Sequence, residues 1–160
     1  MPRPKILVFQ HVPYEPLGTL DPLLWFEVYP DERVLVFVPK AEMGQGIHTA
    51  LAQIAAEELE VAWERLHVQH ASTSQADGNY RGTSGSMSVT TLYDPLRQAA
   101  ATLREMLRAE AARVLNQPAE ALVARDGGFE LAGDPQIRVT YGELVARDVA
   151  WQVPEEDVPL

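Results

Sequence analysis

The feature that most constrains this chain is a long amphipathic stretch after Asp94-Pro95, where Leu96, Ala99, Leu103, Met106, Leu107 and Val114 recur at helical spacing and Pro118 closes the run. Asp94 reads as its N-cap and Pro95 as its first helical residue, where a missing N–H breaks no intrahelical bond. A helix with one apolar stripe must bury that stripe against something else. The chain offers a second helical period, Ile47, Ala50, Leu51, Ile54, Ala55 and Leu59, and a set of short β-rich runs. These runs are Ile6 to Phe9, Trp25 to Tyr29, Arg33 to Val38, Leu66 to Ala71, Ala121 to Arg125, Phe129 to Leu131 and Ile137 to Thr140. Pro30-Asp31-Glu32 makes the second and third a hairpin, while Asp126-Gly127-Gly128 and Gly133-Asp134-Pro135 punctuate the later ones. Tyr141 to Ala146 suggests a short closing helix. The sum is an α+β fold with two main helices packed on a small mixed or antiparallel sheet.

Prolines at 13, 16 and 22 set residues 1–22 apart as an atypical N-terminal strand and loop, with His11 in the loop. Residues 23–150 read as one domain, and 151–160, rich in Pro and acids, as a linker-like tail. A length of 160 residues with 46% hydrophobic residues suits one ordinary core. The formal charge of -10 repels phosphate backbones and anionic lipid, so nucleic acid and membrane surfaces are not expected partners. The sequence contains no cysteine, which removes thiolate metal sites, disulfides and a cysteine nucleophile. No apolar run reaches the length of a signal core or a membrane span, and a cytoplasmic location is expected.

Two Gly- and hydroxyl-rich loops stand before the two helices: Glu42-Met43-Gly44-Gln45-Gly46 and Gly82-Thr83-Ser84-Gly85-Ser86-Met87-Ser88. Exposed backbone amides at the positive end of a helix suit phosphate, and glycine admits close backbone approach. Gln45 can read a carbonyl or amide edge, and Thr83, Ser84, Ser86 and Ser88 can donate to phosphoryl oxygens. Ordinary helix capping is the competing explanation. The four histidines suggest no metal: His67 and His70 point to opposite faces of a strand, and His48, near a helix start, suits a solvated or backbone-bonded imidazole. Glu57 and Glu58 read as a solvated helix face. Together with Glu60 they oppose the helix dipole, which packing must outweigh.

The run Val38-Pro39-Lys40-Ala41-Glu42-Met43-Gly44-Gln45-Gly46-Ile47-His48-Thr49, followed by Ala55-Ala56-Glu57-Glu58-Leu59, resembles the molybdopterin-binding large subunit of the xanthine dehydrogenase and aldehyde oxidase family. The likeness is greatest to its isoquinoline oxidoreductase β-subunit branch. It continues in order through Gly78-Asn79, Gly82 to Ser86, Pro95 to Ala101 and Thr140 to Leu144, and so spans about residues 24–160. The resemblance implies molybdopterin, commonly as its cytosine dinucleotide, with Gly44, Gln45 and Gly46 near it and Thr83, Ser84, Gly85, Ser86 and Ser88 in a second contacting segment. It also implies hydroxylation of an N-heterocycle or aldehyde with water as the oxygen source, and electron transfer to iron-sulfur centres.

Large subunits of this family are several times longer, and their catalytic glutamate lies in a later Gly-rich motif with no counterpart here. No catalytic residue is therefore expected, and the partners implied are the remainder of the large subunit and an iron-sulfur subunit. The branch's frequent twin-arginine leader is replaced by Lys5 to Glu15, a segment that weakly resembles the opening strand and loop of class I glutamine amidotransferases. The alternative expectation is a stand-alone, non-catalytic domain that self-associates. A weaker one is a small-anion or nucleotide module using the same two loops.

Overall fold

A computed structural model describes residues 7–11, 23–72, 83–154 and 158–160. Two sheets and three helices are seen among them. The first sheet has the order β1 (Leu7–His11), β2 (Leu23–Val28), β3 (Val34–Val38), β4 (Leu66–His70). The strands β1, β2 and β3 are antiparallel neighbours, and β4 lies parallel to β3. A parallel pair needs a crossover, and α1 (Ile47–Leu59) supplies it. The second sheet, β5 (Leu122–Ala124), β6 (Gly128–Leu131) and β7 (Asp134–Thr140), is an antiparallel meander. The α+β expectation is met, with the small sheet resolved into a mixed one and an antiparallel one. His11, expected in a loop, ends β1 instead, and residues 12–22 lie outside the described ones.

Helix α2 spans Ser88–Leu115 and packs against α1. The expected start at Pro95 is corrected: the helix begins seven residues earlier and Pro95 lies inside it. An interior proline costs about 3 kcal/mol through its missing N–H and the clash with the preceding turn. Leu92, fully buried, extends the stripe of Leu96, Ala99, Leu103 and Leu107 by one turn and offsets that cost. Tertiary packing thus overrides the local start signal. At its far end Asn116 takes the left-handed conformation, φ 53°, and its amide donates to the Ala112 carbonyl.

Glu58 corrects a second expectation. It is buried, not solvated, between Arg97 and Arg104 of α2, with Arg97 Nε at 3.0 Å and Arg104 Nη1 at 2.8 Å from its carboxylate. Arg104 also donates to the Glu58 carbonyl, one of the unpaired acceptors at the end of α1. These two guanidinium groups answer the unfavourable charge at that helix end. Tyr141 opens α3 (Tyr141–Val145), and its buried hydroxyl donates to the Leu59 carbonyl at 2.8 Å. Burial raises the Tyr141 pKa far above the ordinary phenol value. Thr140 and Glu143 form a reciprocal capping box at the start of α3. Gly142 is needed there because a Cβ would stand 2.7 Å from the Pro30 carbonyl. In the C-terminal segment Trp151 packs on the core, and the Val158 and Pro159 carbonyls accept from Gln98 and Arg104 of α2. Among the described residues no helix is long and apolar enough to cross a membrane.

Candidate cofactor-binding site

The fold brings the two glycine-rich loops together. The first leaves the end of β3 and enters α1; the second enters α2, which packs on α1. A direct tie joins them: the Ala41 amide donates to Thr83 Oγ1 at 3.1 Å across 42 residues of sequence. Between them is a cleft of about 370 Å³ lined on one side by Gln45, Gly46, Ile47 and Ala50, and on the other by Thr83, Ser84, Gly85, Ser86, Ser88 and Val89, with Met43 at its edge. Seven of the eight residues singled out from sequence line it, and Gly44 does not. Among the described residues the lining contains no charged side chain. Two clefts of similar size, 420 and 400 Å³, lie elsewhere, one beside Glu110, Arg113 and Trp151, the other beside Glu57, Glu60 and Trp63. Both carry charged rims and neither includes a residue of the two loops.

The first loop is organised by one side chain. Glu42 accepts from the amides of Gly44 at 2.9 Å, Gly46 at 3.0 Å and His48 at 3.1 Å. These amides, with His48 the largest contributor and Gly46 next, hold its carboxyl below the usual glutamate range. Glu42 is exposed, so the hydrogen bonds dominate over burial. To present those amides in one direction the chain turns through Gly44 at φ 92° and Gly46 at φ 76°, conformations that side chains strain to adopt. A Cβ at either glycine would meet nothing within 4 Å, so the requirement is conformational and not one of close approach.

Gln45 folds back on the same loop: its Oε1 accepts from the Met43 amide at 2.5 Å and its Nε2 donates to the Ala41 carbonyl at 2.7 Å. One N–H and one oxygen lone pair remain for a ligand. His48 Nε2 lies 2.9 Å from the Lys40 carbonyl, the backbone-bonded imidazole that was expected, and its ring stacks on His70 with centroids 6.0 Å apart. That stacking had no sequence signal, because β4 and α1 meet only in the fold. Lys40 itself is buried, and burial lowers its pKa.

The second loop is built differently. Gly85 and Ser86 take consecutive positive φ values, 63° and 57°, and the Met87 amide donates to the Ser84 carbonyl at 3.4 Å. No side chain of its N-cap residue, Met87, caps α2. Thr91, one turn in, turns its hydroxyl back to the Met87 carbonyl at 2.9 Å. The Thr83 oxygen accepts from the Ala41 amide, joining the loops, and its hydroxyl proton remains a donor. The cleft therefore presents neutral hydroxyls, backbone amides and half a carboxamide beside the apolar side chains of Met43, Ile47, Ala50 and Val89.

A cleft with apolar walls and a few hydrogen-bond donors fits a polar heterocycle. The chain matches the family described as molybdopterin cofactor-binding domain over residues 9–159. It is 37% identical over 145 residues to isoquinoline 1-oxidoreductase subunit beta of Brevundimonas diminuta, covering 87% of this chain and 18% of that protein. It is also 37% identical over 131 residues to a membrane-bound aldehyde dehydrogenase (pyrroloquinoline-quinone) of Gluconacetobacter polyoxogenes, covering 81% of this chain and 16% of that one. Among solved structures, quinoline 2-oxidoreductase from Pseudomonas putida 86 superposes with a TM-score of 0.60 at 30% identity, over 76% of this chain and 15% of that one. The chain thus spans less than a fifth of the length of these relatives. The isoquinoline oxidoreductase likeness of the sequence motifs is borne out, and this chain belongs to the molybdopterin cofactor-binding domain family.

Proposed function

We propose that this chain is the cofactor-holding portion of a molybdenum hydroxylase large subunit, forming one wall of a molybdopterin site. The observation that carries the reading is the joining of residues 43–50 and 83–89 in a single cleft, in a chain of this family. Gln45 and Gly46 would meet a polar edge of the heterocycle, using the one N–H that Gln45 keeps free. Ser84, Ser86, Ser88 and the open amides at the start of α2 would hold phosphate oxygens. The Ile47, Ala50 and Val89 side chains exclude water from one face. When bound, the cofactor supplies hydroxylation of a carbon beside a ring nitrogen, or of an aldehyde carbon, with oxygen taken from water. The cytosine dinucleotide form of the cofactor is part of the reading, carried over from the family the sequence motifs resemble.

No residue of the chain is given a catalytic role. The remainder of a large subunit and an iron-sulfur subunit would complete the enzyme, a reading supported by the name of the Brevundimonas relative as one subunit among others. A cytoplasmic location belongs to the same reading and is supported by the cysteine-free composition. Native mass spectrometry of the protein, purified gently from its own cells, tests this. Additional chains together with a mass for molybdopterin dinucleotide are expected. A bare monomer overturns the proposal, and a bare homo-oligomer favours a non-catalytic domain that self-associates.

A further inference from the structure

We infer that β4 is the strand by which this chain pairs with a second copy of itself, antiparallel about a twofold axis at Gln69, joining two four-stranded sheets into one. Four edge strands bound the two sheets, and three of them are blunted by the devices that keep folded proteins from edge-to-edge pairing. β7 carries Asp134, Pro135 and Arg138, β5 is only three residues long, and the β1–β2 pair shifts register between Phe9 and Gln10. β4 has none of these: it contains no proline, Asp, Glu, Lys or Arg, and its register along β3 is unbroken from Leu66 to His70. His67, Val68, Gln69 and His70 are all exposed, so both faces of the strand are open. Val68 is 36% exposed where its neighbour Val36 on β3 is fully buried. No further strand pairs with the outer side of β4 among the described residues.

Backbone geometry fixes which groups are open. The Ala71 amide donates to the Val38 carbonyl at 2.9 Å, so by alternation His67 and Gln69 also turn their N–H and C=O toward β3. Val68 and His70 turn theirs outward, and the Leu66 amide is already taken by the Trp63 carbonyl. Pairing centred on Gln69 sets Val68 against His70 of the second copy, where each pair exchanges both of its hydrogen bonds. Every open N–H and C=O of these two residues is then satisfied. Gln69 faces Gln69 of the second copy, and two carboxamides can bond each other across the axis. The formal charge of -10 resists self-association over most of the surface, whereas two β4 strands oppose no like charges. No residue of β4 lines the cleft between the loops, so the pairing is independent of the cofactor reading.

Sedimentation equilibrium of the full chain over a wide range of concentration tests this, with circular dichroism as the check on folding. A strand edge is a small interface, so the wild type should pass from monomer to dimer as concentration rises. Val68→Pro removes one outward N–H from each copy and no bond to β3, and should raise the dissociation constant roughly tenfold or more. Gln69→Lys sets two ammonium groups against each other at the axis and should weaken the dimer most at low salt. If proline unfolds the chain, Gln69→Lys decides. A wild type that is monomeric at every concentration overturns the inference, as does a dimer that neither folded variant weakens. The cysteine-free sequence allows a positional check, because Gln69→Cys supplies the only thiol in each chain. Residues facing each other in a non-hydrogen-bonded antiparallel pair lie about 4.5 Å apart at Cα, within the span of a disulfide. With diamide as oxidant, Gln69→Cys should give covalent dimers much faster than Val123→Cys, an exposed position on β5. Equal rates overturn the twofold axis at Gln69. An isolated chain that stays monomeric, while assembly with other chains protects the Val68 and His70 amides from exchange, overturns the second copy as occupant and gives the edge to a strand of another chain.

Discussion

The two loops that form the cleft have similar compositions and opposite constructions. The first, 41–46, is closed on itself: Glu42 takes three amides, Gln45 bonds twice to the same loop, and two glycines hold positive φ so that these bonds can form. Among the described residues the second, 83–88, keeps few bonds of its own and is tied to the first through Thr83 and to the fold through the helix it opens. A loop of the first kind is preorganised by local chemistry; the second depends on tertiary packing for its position. For a ligand site this divides the labour. The self-satisfied loop sets shape, and among the described residues the other binds few of its own donors.

The difference is most severely challenged at the platform both loops share. Replacing Glu58 by alanine leaves Arg97 and Arg104 facing an empty acceptor, and removing one partner of a buried ion pair costs about 3–5 kcal/mol. The lower end is expected, because Arg97 is partly exposed and can rehydrate. Urea unfolding should show the loss. If the midpoint is unchanged, α1 and α2 are held together by apolar packing alone, and the placement of both loops does not depend on this pair.

A smaller and more local effect is expected from Leu92→Ala, about 2–3 kcal/mol by loss of buried side-chain volume near a helix start that can partly relax. Hydrogen exchange should rise at residues 88–92, between the second loop and Pro95, while amide protection in α1 holds. Equal loosening of both loops would show that the second is no more dependent on packing than the first.

Much of this was legible in sequence. The apolar periods of both helices, the hairpin from Trp25 to Val38, the turns at Asp126 and Gly133 and the short closing helix from Tyr141 all announce themselves by local rules, and all are found. So does the family, through motifs that keep their order. What was not legible is what depends on distant partners. Asp94-Pro95 has the local form of a helix start, and only the burial of Leu92 reveals why the helix begins at Ser88. Glu58 looks like its neighbour Glu57 until α2 supplies two arginines from 39 and 46 residues away. Glu42 is the subtler case. A carboxylate four residues before a left-handed glycine that opens a helix carries a signal of its own, since it can reach back over the turn to the first amides, but the pattern lies outside the usual S/T-x-x-E cap.

Glycine substitutions separate the loops at lower energy. Gly46→Ala and Gly85→Ala each place a Cβ on a residue of positive φ, at a cost of roughly 1–2 kcal/mol, and neither meets an atom closer than 3.8 Å. The stability losses should be similar. Only Gly46→Ala should disturb the Gly44 and His48 amides, because they share an acceptor with Gly46, and shifts confined to the mutated loop in each case would confirm that the cap is local.

The smallest expected effect is the most discriminating, because only one loop contains a titratable group. The folded pKa of Glu42 lies below its ordinary value of 4.5, held down first by the His48 amide and then by those of Gly46 and Gly44. A depressed carboxylate pKa means that the cap's contribution is present above the unfolded value and is lost as pH falls through the folded one. The window therefore opens near 4.5 and lies below it. Following amide protection downward in pH, Gly44, Gly46 and His48 should lose it together, whereas Ser88 and Val89 at the start of α2 should show no corresponding step. Stability of the wild type relative to Glu42→Gln should shrink over the same range and vanish once Glu42 is protonated. A pH-independent difference would mean that the carboxylate acts by shape and not by charge. The two loops would then differ in geometry only.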